Sequence, residues 1–326
     1  MRALITGGAG FIGSHLTDHL LARGATVWAL DDLSTGARAN VAHHATSPRF
    51  RLVEGSVLDR ALVEELVAQC DAVYHLAAAV GVRRILAEAR RAIEINLRGT
   101  EHVLAAAARR GCPVLVTSTS EVYGKNDRGP LREDDDAIMG PTRTTRWLYA
   151  ITKAADECLA LAYAREYGLP VVVVRLFNTI GPRQTGAYGM VVPRLVGQAL
   201  RGEPLTVYGD GQQTRCFTYV DDVVAAIEAL LATPAARGEV VNVGQPREVT
   251  IEQLARLIRD LAGSASPIVH VPYEQAYGAG FEDMRRRVPD ISKLQRLTGF
   301  VPRVPLEEAL RRIIDHAQAR YDRAAP

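Results

Sequence analysis

Apolar positions follow two periods along this chain. Short, nearly continuous apolar runs at residues 2–6, 26–30, 51–53, 72–75, 114–117 and 171–175 have the length and β-branched content of buried strands. Between them, apolar positions at helical spacing predict helices that begin near Phe11, Asp59, Glu88 and Trp147. Strands alternating with helices are joined by crossovers, which makes the sheet parallel and covers both its faces. The first half of the chain is therefore expected to form a doubly wound α/β core. Past Asn178 the rhythm changes to short strands at 205–207, 240–242 and 268–271 among helices at 193–201, 221–232, 251–262 and 306–319. This reads as a smaller mixed α/β lobe. The expected division is 1–178 and 179–326, with a soft boundary because the chain can cross back before it ends.

Composition narrows the class. The 326 residues are 48% apolar and 23% charged with a formal net charge of +2, the balance of a water-soluble globular protein. No apolar run approaches the roughly 18 residues of a membrane span. A strand starting at Arg2 and a glycine turn at Gly7 leave no room for a cleavable leader, so the cytoplasm is the expected location. Cys70, Cys112, Cys158 and Cys216 are widely spaced, form no C-x-x-C pair, and are expected to be reduced thiols, mostly buried. The basic doublets Arg83-Arg84, Arg90-Arg91 and Arg109-Arg110 are interleaved with acids, as on solvated helix faces, and the near-neutral total argues against a nucleic-acid partner.

The first strand runs directly into Gly7-Gly8-Ala9-Gly10-Phe11-Ile12-Gly13, which opens the first helix. Glycines in that context let the turn close tightly, let backbone N–H groups reach a pyrophosphate and let helix and strand pack closely. Asp31 and Asp32 follow the second strand, Asp31 lying 18 residues beyond Gly13, near the roughly 20-residue offset of the acid that accepts from an adenosine ribose. Together these predict a dinucleotide site on a Rossmann-type sheet. An anionic Asp31 repels a 2′-phosphate and no Arg or Lys lies immediately beside it, which favours NAD over NADP; Arg38 is the one nearby cation that points the other way. Ser14 after Gly13 denies the motif the lysine of an ATP-binding P-loop.

Tyr149 and Lys153 are four residues apart in a run of helix formers and share one face. They follow a strand ending in Thr117-Ser118-Thr119-Ser120-Glu121, whose hydroxyls gather at the carboxyl edge of the sheet, where doubly wound folds bind ligands. A phenol that exchanges a proton with a substrate hydroxyl, an ammonium that lowers the phenol's pKa from about 10, and a second hydroxyl that holds the oxygen make an alcohol-oxidising set.

With these motifs the sequence resembles the extended short-chain dehydrogenase/reductases that act on nucleotide sugars. The resemblance rests on the glycine turn, Thr119, Tyr149-x-x-x-Lys153 and Asn96-Leu97-Arg98-Gly99-Thr100. It continues through residues 177–183, Val191-Val192-Pro193-Arg194 and residues 208–222, nearly the whole chain. It implies Tyr149 as acid/base, Lys153 as its electrostatic partner and a ribose contact, Thr119 as holder of the substrate oxygen and Glu121 as a further participant. It implies an NAD pocket of Gly7, Gly10, Phe11, Ile12, Gly13, Asp31, Asp32, Ser34, Ser56, Val57, Leu76, Ala77, Ala78, Asn96 and Thr117 with Tyr149 and Lys153. A UDP-sugar pocket of Thr119, Ser120, Asn178, Thr179, Val191, Val192, Tyr208, Arg215 and Arg287 follows in the same way, as does a homodimer; no metal is implied. Ser56 departs from the family's usual Asp after Gly55.

Other charged residues have plainer readings. His15 and His19 read as helix-surface residues, His75 as a core imidazole or a contact beside the dinucleotide but not a base, and Glu133-Asp134-Asp135-Asp136 as a solvated loop. The resemblance leaves three fates for the oxidised sugar. Ser120 stands where the dehydratases carry an Asp, which ranks dehydration last. Ser120-Glu121 resembles the uronate decarboxylases, whereas Tyr188-Gly189-Met190-Val191-Val192-Pro193 looks more like the epimerases. The expected activity is 4-epimerisation of a UDP-sugar, with decarboxylation of UDP-glucuronate second. The non-enzymatic alternative, an NAD-binding protein without turnover, is opposed by the intact Tyr149, Lys153 and Thr119.

Overall fold

The computed structural model describes residues 1–81, 88–186, 189–277 and 284–324, so Arg83-Arg84 and Tyr188 lie outside the described residues. The first apolar runs form β1 (Arg2–Thr6), β2 (Thr26–Asp31), β3 (Phe50–Glu54), β4 (Ala72–His75), β5 (Val114–Thr119) and β6 (Val171–Leu176). They alternate with α1 (Phe11–Ala22), α2 (Arg60–Ala68), α3 (Ala89–Arg110) and α4 (Leu148–Tyr167). The caps explain several boundaries. Asp59 accepts from Leu62 N at 3.1 Å to start α2, and Gly168, at φ +66°, ends α4 in the left-handed region that glycine occupies without strain.

Beyond β6 come β7 (Thr179–Ile180), α5 (Val191–Leu200), β8 (Leu205–Tyr208), β9 (Thr214–Cys216), β10 (Thr218–Tyr219), α6 (Val220–Ala232), β11 (Glu239–Val243) and β12 (Glu248–Thr250). The chain continues with α7 (Ile251–Leu261), β13 (Ile268–Val271), α8 (Tyr273–Tyr277), α9 (Ser292–Thr298) and α10 (Leu306–Ala324). The main sheet has seven parallel strands in the order β11-β6-β5-β4-β1-β2-β3. The expected strand at 240–242 is therefore not part of a separate second lobe. It is the centre of β11, with Val241 opposite Val174. The four valines of β6, buried on both faces, present a row of backbone groups that β11 satisfies. The strands outside the main sheet pair as β8–β13, β9–β12 and β7–β10.

The sheet divides the core. In β1, Ala3 and Ile5 face a cluster with α1, α5, α6 and α7, while Leu4 faces the opposite cluster with α2, α3 and α4. Among the described residues no helix is long and apolar enough to cross a membrane.

Helix α4 is unusual in burying Lys153, Asp156 and Glu157. Glu157 accepts from Arg175 Nη2 at 2.8 Å and Nε at 3.0 Å, and from the Ser118 hydroxyl at 2.5 Å. The Arg175 guanidinium lies over the Tyr123 ring, 4.7 Å from its centroid. The Tyr123 hydroxyl donates to Asn242 Oδ1 at 2.7 Å, and Asn242 N donates to Glu133 Oε1 at 2.8 Å. Glu133, expected in a solvated loop, thus holds the backbone of β11 because the interior amide there needs an acceptor. Arg175→Leu would leave Glu157 a buried, unmatched carboxylate and is expected to cost about 3 kcal/mol of unfolding free energy in urea titration; adding Glu157→Leu should restore most of the loss.

Candidate active site

The carboxyl ends of β1, β2, β4, β5 and β6 open into one cavity of ≈ 480 Å³. It gathers every predicted site residue except Asn96 and Lys153.

In the dinucleotide half the glycines divide their labour. A Cβ on Gly13 would lie 2.0 Å from Gly7 O, and one on Gly8 would lie 2.5 Å from Ala29 Cβ, so these two serve packing. Gly7, at φ +72°, turns the chain beside Ala77. A Cβ on Gly10 would meet only Gly7 O, at 3.1 Å, and would otherwise fill the open cradle at the N-terminus of α1 where a pyrophosphate fits. Asp31 accepts from Ala9 N at 2.9 Å and Leu33 N at 2.8 Å; burial pushes its carboxyl above the ordinary range, and unused lone pairs remain for ribose hydroxyls. Asp32 accepts from Ser34 N at 3.0 Å and from its hydroxyl at 2.5 Å. Ser56 Oγ accepts from Leu58 N at 3.2 Å. Val57 packs over Gly99, where a Cβ would come within 2.5 Å of Val57 Cγ2, which gives the Gly99 of the family motif a packing reason. These residues fit an NAD molecule.

In the reactive half the hydroxyls of β5 point different ways. Thr117 donates to His75 O at 3.0 Å and Ser118 to Glu157. Thr119 Oγ1 accepts from Glu121 N at 3.2 Å, which leaves its proton for a ligand in the cavity. Tyr149 stands half-buried at the wall. Its phenol is pushed above its ordinary value by burial first, then by the charges of Glu121 and Asp156.

Two expected cofactor contacts are placed differently. Lys153 does not line the cavity; it is buried, and its Nζ donates to Asp156 Oδ2 at 2.8 Å, a counter-charge one helical turn away. Asn96 is also interior: its Oδ1 accepts from Ala79 N at 2.8 Å and its Nδ2 donates to Thr152 Oγ1 at 3.0 Å, so it ties the loop after β4 to α4. His75 is a satisfied core imidazole between the Thr6 and Thr100 hydroxyls, at 2.8 and 3.0 Å. Burial, then the charge of Lys153, pushes its pKa down to about 3, so it is neutral.

The half of the cavity expected to take the sugar carries several guanidinium groups. Arg146 Nη1 donates to Glu121 Oε2 at 2.5 Å, and Arg287 Nη1 lies 3.6 Å from Glu121 Oε1. Arg287 is braced by donating to Asn178 Oδ1 at 2.7 Å. Burial acts to raise the Glu121 carboxyl, but Arg146, Arg287 and Arg215 outweigh it and hold the group below the usual range. Arg146 is the functional candidate that the sequence reading passed over. Its signal was its place three residues before Tyr149, which sets both on the same side of the α4 entrance. Arg194 adds a further cation, over the Tyr208 ring at 4.1 Å.

The α1 histidines do not face solvent as expected. His15 Nε2 meets Pro182 O at 3.0 Å and His19 Nε2 meets Glu228 Oε2 at 2.8 Å, so both bind α1 to the segment after β6 and to α6. Asp18 takes both His43 and His44, but Arg183 holds its other oxygen at 2.7 Å, a fixed positive charge where a cation would have to sit. Cys70, Cys112 and Cys216 are buried free thiols and Cys158 is an exposed one.

A parallel sheet with a glycine turn, an acid after β2 and a Tyr-bearing helix over its carboxyl edge defines a Rossmann-type, dinucleotide-dependent enzyme scaffold. The chain belongs to the NAD dependent epimerase/dehydratase family, whose model matches residues 3–244, and its cofactor is NAD. It is 45% identical over 314 residues to the UDP-N-acetyl-alpha-D-glucosaminuronate decarboxylase of Bacillus cytotoxicus, covering 96% of each chain. It is 39% identical to the UDP-glucuronic acid decarboxylase 1 of Xenopus tropicalis, covering 99% of this chain and 74% of the relative. Among solved structures, a mutant of the UDP-glucuronic acid 4-epimerase of Bacillus cereus, in complex with NAD and UDP-4-deoxy-4-fluoro-glucuronic acid, superposes with a TM-score of 0.89 at 30% identity, covering 98% of this chain and 100% of that one. The family resemblance read from the motifs holds.

Gly13→Ala should drive a methyl into Gly7 O and open the turn. NAD affinity, titrated by quenching of protein fluorescence, is expected to fall at least ~10-fold, with ~1–3 kcal/mol lost in urea unfolding.

Proposed function

We propose that the chain decarboxylates a UDP-hexuronate, of the glucuronate or N-acetylglucosaminuronate type, through a transient 4-keto sugar. The observation that carries this reading is the part of the cavity where Arg146, Arg287 and Arg215 gather around the carboxylate of Glu121. Guanidinium groups gathered in one wall offer the planar, bidentate donors that a sugar bearing a carboxylate in addition to its diphosphate needs. The likeness to two named uronate decarboxylases supports the same choice and moves decarboxylation ahead of the 4-epimerisation expected from sequence.

The chemistry assigns each group a part. Tyr149 takes the proton of the C4 hydroxyl while Thr119 holds that oxygen. NAD, when bound, supplies the reversible acceptor for the C4 hydride. The new ketone stands β to the C6 carboxylate, so the C5–C6 bond breaks, carbon dioxide leaves, and the electron pair passes to the C4 oxygen. The Tyr149 phenol, now protonated, and the Thr119 hydroxyl donate to that oxygen. Glu121 sets a like charge against the departing carboxylate, and Arg146 and Arg287 keep both anions in the pocket. Protonation at C5 and return of hydride to C4 complete a reaction with no net redox change. The second reading, 4-epimerisation without carbon dioxide loss, is favoured by the superposition on a uronate 4-epimerase.

The test incubates NAD-loaded protein with UDP-glucuronate and with UDP-N-acetylglucosaminuronate. Carbon dioxide equimolar with a nucleotide pentose is expected; a 4-epimer with no gas release establishes the second reading instead. Tyr149→Phe is expected to slow turnover at least ~100-fold, and parent-like turnover in that variant would end the enzymatic assignment. Arg146→Ala should lower kcat/KM for the uronate ~10–100-fold while leaving NAD affinity unchanged.

A further inference from the structure

Beyond Lys153, α4 carries an acid that the alcohol-oxidising set does not call for. Asp156 is 0% exposed, and among the described residues its charged hydrogen-bonding partner is the Lys153 ammonium at 2.8 Å, itself 2% exposed. Tyr149, Lys153 and Asp156 follow one another at spacings of four and three, so the three residues share one side of the helix. A buried ion pair is a poor source of stability, since desolvation takes back most of what attraction returns. Its placement calls for another reason.

The surrounding groups are otherwise engaged. Glu121, from the end of β5, is matched by Arg146 and Arg287; Glu157, next on α4, is matched by Arg175 and Ser118. His75 of β4 is neutral between Thr6 and Thr100, and Thr100 of α3 also faces Asp156. Asp156 is thus the acid whose charge is spent on the lysine of the reactive set. A phenol that must take a proton in one step and return it in another works best when its ionisation is neither prevented nor driven to completion. An unopposed ammonium beside it pulls towards the ionised form.

We propose that Asp156 is a positioning residue for the oxidation step: it holds the Lys153 ammonium at 2.8 Å and offsets part of its charge, which sets the pH range over which the phenol of Tyr149 exchanges its proton. The inference rests on the reading that Tyr149 and Lys153 carry alcohol oxidation, and holds whether the keto sugar is decarboxylated or epimerised.

The test is the pH dependence of kcat for the NAD-loaded protein, with UDP-glucuronate and UDP-N-acetylglucosaminuronate as probes. Tyr149 must be ionised to accept the hydroxyl proton, so the acid limb of kcat follows its ionisation. Removing a nearby negative charge eases that ionisation. In Asp156→Asn and in Asp156→Ser the acid limb is therefore expected to move to lower pH by about half to one unit, and Asp156→Glu, which keeps the charge, should return it towards the parent position. Two neutral variants of different size keep the test open where one folds poorly. An acid limb that stays in place or moves to higher pH, with only the melting temperature lowered, overturns the inference and leaves Asp156 a structural residue. Full turnover in Tyr149→Phe is a different failure, that of the reading beneath it.

Discussion

A helix that turns three charged side chains inward must find each a counter-charge, and that demand on α4 organises the molecule. Lys153 is met within the helix by Asp156, whereas Glu157 is met across the sheet by Arg175 and Ser118. The second pairing locks α4 to β5 and β6, and through Tyr123 and Asn242 to β11 as well. Because α4 cannot rotate without stripping these charges of their partners, Tyr149 is held at the cavity wall and the hydroxyls of β5 stay in register beside it. Rigid presentation of Tyr149 and the β5 hydroxyls thus comes from the interior.

The two halves of that cavity obey different constraints. The dinucleotide half is defined by missing side chains: Gly13 and Gly8 are excluded from growing by backbone and by Ala29, and Gly99 by Val57. Close approach of backbone is what a pyrophosphate needs, so the scaffold and the cofactor make the same demand. The sugar half is defined by charge. Arg146, Arg287 and Arg215 lie near the carboxylate of Glu121, and under the proposed function their arrangement is what selects the sugar. A single scaffold hosts several outcomes because the first half can stay constant while the second changes.

The chain's periodicity carried the α/β alternation, the parallel sheet and all six early strands, because helix and strand bury their apolar faces at different spacings. The glycine turn, Asp31 and the hydroxyl-rich end of β5 were legible for a similar reason: each is a local motif whose chemistry depends on neighbours in sequence. Residue spacing also placed Tyr149 and Lys153 on one helical face. Tertiary structure alone decided what lies opposite the charges that pair between elements. It sent β11 back to complete the sheet beside β6, brought Arg175 to Glu157, made Asn96 a strut between two elements, and brought Arg146 and Arg287, far apart in the chain, onto Glu121. Pairing of charges and closure of a sheet edge are satisfied through space, by whichever group folding delivers, and no local pattern specifies that partner.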